Sequence, residues 1–133
     1  MLKRVLVGGW NVSLAPPKLT FIQAVAKMEG FYMKGSRPQR NHNPGDIEFG
    51  QFSKAHGAIK AEQPLGRFAV FQDDATGFTA MKALFEAQAY KSDTIRQAIA
   101  RWAPPPENDV DEYVKNVCNW TGLPEDTLIA GIL

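Results

Sequence analysis

Leu19-Thr20-Phe21-Ile22-Gln23-Ala24-Val25-Ala26-Lys27-Met28-Glu29-Gly30 is the stretch on which the reading of this chain turns. Its apolar residues recur with helical spacing, with Ile22, Val25 and Ala26 on one face, and Gly30 is a natural stop. Glu29 continues the same stripe, so a carboxylate stands on the face that should be buried. It also falls in the last turn, where the negative end of the helix dipole disfavours ionisation, and partial burial acts in the same direction. Both effects predict a raised pKa, which a general acid needs near neutral pH, as when the oxygen of a glycosidic bond must be protonated as it leaves. The alternative is that Gly30 ends the helix so abruptly that Glu29 points to solvent or pairs with Lys27 or Arg37.

Downstream, Phe31 to Gly66 holds Gly35, Pro38, Pro44, Gly45, Gly50, Gly57, Pro64 and Gly66, and these breakers argue against helix there. Within it, Asp46-Ile47-Glu48-Phe49 alternates polar and apolar as a short half-exposed strand would, and Arg67 to Phe71 reads as a second strand with Phe68 and Val70 on one face. After Phe71 the pattern is helical. Asp73 or Asp74 can cap a helix to about Ala89 with Phe78, Met81 and Phe85 on one stripe. Ser92 or Asp93 can cap the next, carrying Ile95, Ala98, Ile99 and Trp102, and Pro104-Pro105-Pro106 ends it. Asp109 to Glu112 resembles a capping box ahead of Val110, Tyr113, Val114 and Val117; Gly122 closes that helix, and Pro124 to Leu133 predicts a last short one. Upstream, residues 1–17 read as an irregular lead-in broken by Gly8-Gly9 and Pro16-Pro17, with Val5 to Val7 either a short strand or a docked arm.

The order of elements predicts a single α+β domain over residues 1–133, predominantly α-helical, with a small sheet and loop region forming one wall of a cleft against the helices. A hydrophobic content of 44% with 22% charged residues suits a chain that buries one core and is not disordered. The net charge of +1, with both signs interspersed, argues against a nucleic-acid partner. No apolar run approaches the roughly 20 residues needed to span a bilayer, so no membrane partner is expected. No export signal is evident either, and a cytoplasmic site of synthesis is expected. Cys118 is the single cysteine and His42 and His56 the two histidines, too few for an internal disulfide or a Cys/His zinc site. No metal or cofactor is expected, and the chain is expected to be a monomer.

A second carboxylate for a glycosidase pair could come from Asp46 or Glu48, which strand alternation would turn to the same side; solvated strand residues are the alternative. Arg40-Asn41-His42-Asn43-Pro44-Gly45-Asp46 is dense in side chains that hydrogen-bond to backbone or sugar, although a turn alone would explain Asn43-Pro44-Gly45. His42 has no serine or cysteine partner in a recognisable nucleophile elbow, and His56 reads as a loop residue. Among aromatic residues, Phe31 and Tyr32 follow Glu29 directly, Trp102 reads as core, and Tyr113 is the better candidate to reach a polar cleft because its hydroxyl needs a partner when buried.

Taken in order, these segments resemble the lysozyme-like superfamily of peptidoglycan-cleaving enzymes, particularly phage or prophage muramidases and lytic transglycosylases. The resemblance is carried by Glu29-Gly30-Phe31, Arg40 to Ile47 with Gly50, His56-Gly57-Ala58, Gly66 to Phe71, Trp102-Ala103-Pro104-Pro105 with Glu107-Asn108-Asp109, and Tyr113 to Val117, spanning residues 19 to 122. It implies that Glu29 is the catalytic acid, that Tyr113 helps hold Glu29 or the substrate, and that Asn43 contacts sugar or Glu29. Tyr32, Asp46 and Glu48 complete the candidate binding and supporting residues. The sequence also departs from its relatives. Pro38 stands nine residues after Glu29, where phage lysozymes carry an aspartate, and Arg101-Trp102-Ala103-Pro104-Pro105 replaces the Ala-Tyr-Asn-Ala-Gly of many transglycosylases.

The activity implied is cleavage of the β-1,4 bond between N-acetylmuramic acid and N-acetylglucosamine in peptidoglycan glycan strands, by hydrolysis or by 1,6-anhydro transglycosylation. The protein would act on the bacterial cell wall after release or delivery, as an endolysin or as part of a larger machine. The rival readings are a non-catalytic glycan-binding or phage virion structural protein of lysozyme-like fold, and a small adaptor with an exposed aromatic groove.

Overall fold

The computed structural model describes residues 3–7, 10–14 and 18–133, the first two segments as backbone only. Gly8-Gly9 and Pro16-Pro17, read above as breakers, lie outside the described residues. The broad α+β class is observed: small antiparallel pairs of strands accompany a mostly helical body.

The N-terminal segment departs from the irregular lead-in expected of it. Strand β1 (Lys3–Val7) pairs antiparallel with β2 (Trp10–Leu14), Val5 opposite Val12 and Val7 opposite Trp10. The sequence signal for it was a Gly-Gly pair between Val5 and Val7 on one side and Trp10 and Val12 on the other, a hairpin pattern as well as a break.

Helix α1 (Phe21–Met28) starts at a capping box, with the Thr20 hydroxyl accepting from Gln23 N–H and the Gln23 side chain accepting from Thr20 N–H. Phe21, Ala24, Val25 and Ala26 are buried, and Glu29 is the C-terminal cap ahead of Gly30 at φ 89°. Two short helices then lie inside the breaker-rich stretch where none was expected: α2 (Arg37–Arg40) and α3 (Gln51–Ala55). Each is shorter than two turns, so no apolar period could show. The breakers mark their ends: Ser36 caps α2, with Pro38 buried in its first turn.

The sheet also differs from expectation. Strand β3 (Ala58–Ala61) pairs antiparallel with β4 (Ala69–Phe71), whereas Asp46 to Phe49 makes only a single bridge, Glu48 to Phe68. Asp46 adopts φ 48°, a left-handed conformation that interrupts an extended run. In β4 the buried residues are Ala69 and Phe71, which leaves Phe68 and Val70 on the other side.

The remaining helices follow their stripes. Helix α4 (Asp74–Phe85) is capped by Asp73 and buries Met81 and Phe85, ending earlier than Ala89 with a 3-10 turn at Gln88–Tyr90. Helix α5 (Ile95–Trp102) is capped by Thr94 with Gln97 in a capping box, not by Ser92 or Asp93. The Asp93 carboxylate instead accepts from Arg101 at 3.0 Å. Helix α6 (Val110–Thr121) is capped by Asp109 and closed by left-handed Gly122 at φ 73°. The expected last helix is reduced to a 3-10 turn at Ile129–Gly131, because the segment is held to the start of α5 by Ile95 N–H to Thr127 O and Ile129 N–H to Asp93 O. No helix among the described residues is long and apolar enough to cross a membrane.

The core lies where α1 packs on α6 and α4, and α5 on α6. Phe85 is its hub, with an edge contact to Phe21 at 5.1 Å and a stack on Trp102 at 4.3 Å. The loop region reaches this body at Gly77 of α4, where an added Cβ would stand 2.0 Å from the carbonyl oxygen of His42 and 2.8 Å from Pro44 Cδ. Only a residue without a side chain admits that approach. Gly77→Ala should therefore destabilise the protein by about 3 kcal/mol or more, read as a lowered midpoint in chemical denaturation.

Candidate active site

An open cleft of about 610 Å³ separates the loop region from the helices. Glu29 lines it at the end of α1; Arg37, Asp46, Glu48, Arg67 and Phe68 come from the loop wall, and Tyr90, Trp102, Pro104, Glu107 and Asn108 from the helical wall.

Glu29 is half-buried, and its Oε2 accepts a hydrogen bond from the Tyr113 hydroxyl at 2.7 Å. The packing of α1 on α6 makes the contact, and Tyr113 is only 3% exposed. Burial pushes the Glu29 carboxyl above the ordinary glutamate value. The Tyr113 hydroxyl opposes this, Asp46 adds to it by like-charge repulsion, and the Trp102 indole and Arg37 oppose it. Tyr113 itself is pushed well above its usual range by burial, then by the adjacent carboxylate, so it remains a donor.

Asp46 and Glu48 both line the cleft, as expected, yet neither is free. Arg37 grips Asp46 through two nitrogens, Nε at 3.0 Å from Oδ1 and Nη2 at 2.5 Å from Oδ2, and the Asp46 side chain is only 8% exposed. Arg67 Nε meets Glu48 Oε1 at 2.7 Å in an exposed pair. Arg37, considered from sequence only as a possible partner of Glu29, thus belongs to Asp46. Its guanidinium also lies over the Phe68 ring at 3.7 Å.

The structure corrects two other expected site residues. Asn43 is 0% exposed and does not line the cleft. Its Nδ2 donates to the carbonyls of Ile47 and Ala69 and its Oδ1 accepts from Ile47 N–H, each at 2.9 Å. It is a bracket that holds the loop to β4, and no sugar can reach it. Tyr32 is 51% exposed, packs edge-on against Phe31 at 5.2 Å and is not part of the cleft lining.

Sequence reasoning placed Trp102 in the core, and the structure gives it two roles. One face stacks on Phe85, while the half-buried ring lines the cleft beside Glu29. Arg37 and Phe68 were missed as cleft residues, since arginine and phenylalanine between breakers carry no local signal. His42 Nδ1 lies within hydrogen-bond distance of Asp74 Oδ1, at 2.7 Å, outside the cleft.

The chain is 33% identical over 96 residues to Protein P5 of Pseudoalteromonas phage PM2, a match that covers 70% of this chain and 60% of P5. It therefore spans less than two thirds of that phage relative. No protein-family model matches the chain.

Asn43→Ala should lower stability by about 2–4 kcal/mol, because it strands buried backbone groups of Ile47 and Ala69; the measurement is a denaturation midpoint. Glu29 should show the opposite sign. Its folded-state pKa exceeds the unfolded one, so the native state binds the extra proton and stability falls as pH rises from about 4.5 through the folded value. Glu29→Gln removes that dependence, and its stability advantage over wild type should grow from pH 4 to pH 8 in paired melts.

Proposed function

We propose that the protein is a peptidoglycan-cleaving enzyme of lysozyme-like fold that breaks the β-1,4 bond between N-acetylmuramic acid and N-acetylglucosamine, with Glu29 as general acid. The observation that carries this reading is a half-buried carboxyl with a raised pKa, held by Tyr113 on the floor of an open cleft. Trp102 and Phe68 give the two walls of the cleft apolar surface for pyranose units to lie against. A phage protein among its relatives supports a setting in which bacterial cell wall is the barrier.

Protonated Glu29 gives its proton to the bridging oxygen as the bond from that oxygen to the muramic anomeric carbon breaks. The resulting carboxylate then takes the proton of the muramic 6-hydroxyl as that oxygen bonds to the anomeric carbon, closing a 1,6-anhydro ring with no water consumed. One carboxyl serves both steps, as acid and then as base. Asp46 and Glu48, the carboxylates on the loop wall, are each engaged by an arginine, which supports this route; Glu107 on the helical wall is the carboxylate that hydrolysis would have to recruit. In hydrolysis a second carboxylate would have to activate water or attack the sugar.

Digestion of purified peptidoglycan by wild type, followed by mass spectrometry, should yield muropeptides one water lighter than hydrolysed products. Glu29→Gln should lower turnover by about 10²- to 10⁴-fold with an unchanged circular dichroism spectrum. Near-normal lysis by that variant would remove Glu29 from the chemistry. Saturable glycan binding without released fragments by the wild type would establish the binding-only alternative.

A further inference from the structure

Asp46 poses a problem that its place in the cleft does not explain. Its backbone is held at φ 48°, its carboxylate is nearly inaccessible, and both oxygens are committed to Arg37. A carboxylate meant to attack a sugar or deprotonate water would be wasted there. Yet it stands close enough to Glu29 to influence its charge, and Arg37 does so with the opposite sign.

The residue before it is equally constrained. Gly45 lies against the Trp102 indole, such that a Cβ there would meet Cζ2 at 3.0 Å, Cη2 at 3.1 Å and Ile47 Cγ1 at 3.2 Å. The indole also stacks on Phe85 of the core, with ring centroids 4.3 Å apart. Trp102 is thus clamped between the core and the loop, and its indole is one of the groups acting on Glu29. What holds the loop there is Asn43 at one end and the Arg37 fork on Asp46 at the other, with Arg37 steadied over the Phe68 ring.

We propose that the Arg37–Asp46 ion pair is a positioning element for the Glu29 acid: the fork sets the loop that clamps Trp102 beside Glu29, and its two charges stand with Glu29 in the same cleft. This inference rests on the reading of Glu29 as the acid of the cleft and makes Asp46 a positioning residue, not a second catalytic carboxylate. Tyr113 from α6 contacts Glu29 directly, and the charged groups that line the cleft with it are Asp46, Glu48 and Arg67 from the loop region, Arg37 from α2 and Glu107 beyond α5. Neutralising Asp46 removes a repulsive charge and leaves Arg37 unopposed, and both changes favour the ionised form of Glu29. Lysine at position 37 keeps the charge but not the planar fork.

The test compares wild type, Asp46→Asn and Arg37→Lys. Asparagine tolerates the left-handed backbone at position 46, and melting curves confirm that each variant folds. The Glu29 carboxyl is followed by carbon NMR on glutamate-labelled protein, with Glu29→Gln to assign the signal, while kcat and KM on peptidoglycan strands are measured across pH. Asp46→Asn should move the Glu29 titration, and the alkaline limb of kcat, to lower pH. Arg37→Lys should leave the titration near wild type while kcat falls about 10- to 100-fold, as for a misplaced but intact acid, with little change in KM. A Glu29 titration that Asp46→Asn leaves unmoved or raises would overturn the proposal. So would full activity in Arg37→Lys, or loss in Asp46→Asn as deep as in Glu29→Gln. A wild type inert on peptidoglycan would defeat the cleavage reading itself, and the NMR titrations, which need no turnover, would still decide the role of the pair.

Discussion

The 2.7 Å hydrogen bond from Tyr113 to Glu29 joins residues 84 apart in the chain and holds the carboxyl that the candidate site is built around. A carboxylate at the C-terminal end of a helix, withdrawn from water, is costly in its ionised form. One buried hydroxyl relieves that cost without abolishing it, so the carboxyl's pKa stays raised above the ordinary glutamate value. The bond can exist only because α1 and α6 share a core in which Val25, Ala26, Val114 and Val117 are almost wholly buried. Hydrophobic packing pins the two backbones, and the polar contact follows from where they are pinned.

The loop region solves a different problem, since it has little apolar surface of its own. Asn43 takes the place of a core side chain there, satisfying Ile47 and Ala69 backbone groups from a fully buried position. Gly77 lets that loop sit directly on α4, and the Arg37–Asp46 pair ties its exposed end to α2. A segment rich in glycine and proline is thereby made a rigid wall. Polar residues that looked like sugar-binding groups in sequence turn out to be the framework of that wall.

The long helices were legible because each carries its own apolar stripe, with the caps of α4 and α6 visible at Asp73 and Asp109, whereas the Thr20 and Thr94 caps of α1 and α5 were not read. The unexpected position of Glu29 on such a stripe was legible for the same reason. Helices α2 and α3 and strand β3 were not, since four or five residues hold less than a usable period. The strand expected at Asp46 to Phe49 failed at one residue, because alternation reports side-chain polarity and is blind to the left-handed backbone at Asp46. The hairpin of β1 and β2 was half visible, in Val5 to Val7, and Gly8-Gly9 between the two runs was read as an end where it was also a connection.

By itself the sequence determined the α+β order of the chain, the four long helices and the anomalous placement of Glu29, because all of these are set by residues within a turn or two of one another. Only the tertiary structure decided which groups share the cleft with Glu29. It tied Asp46 to Arg37, hid Asn43, left Tyr32 outside the cleft lining and brought Trp102 into it. Those outcomes hang on contacts between segments far apart in the chain, where a close approach such as Gly45 against Trp102 or Gly77 against His42 selects the arrangement and local pattern carries no trace of it.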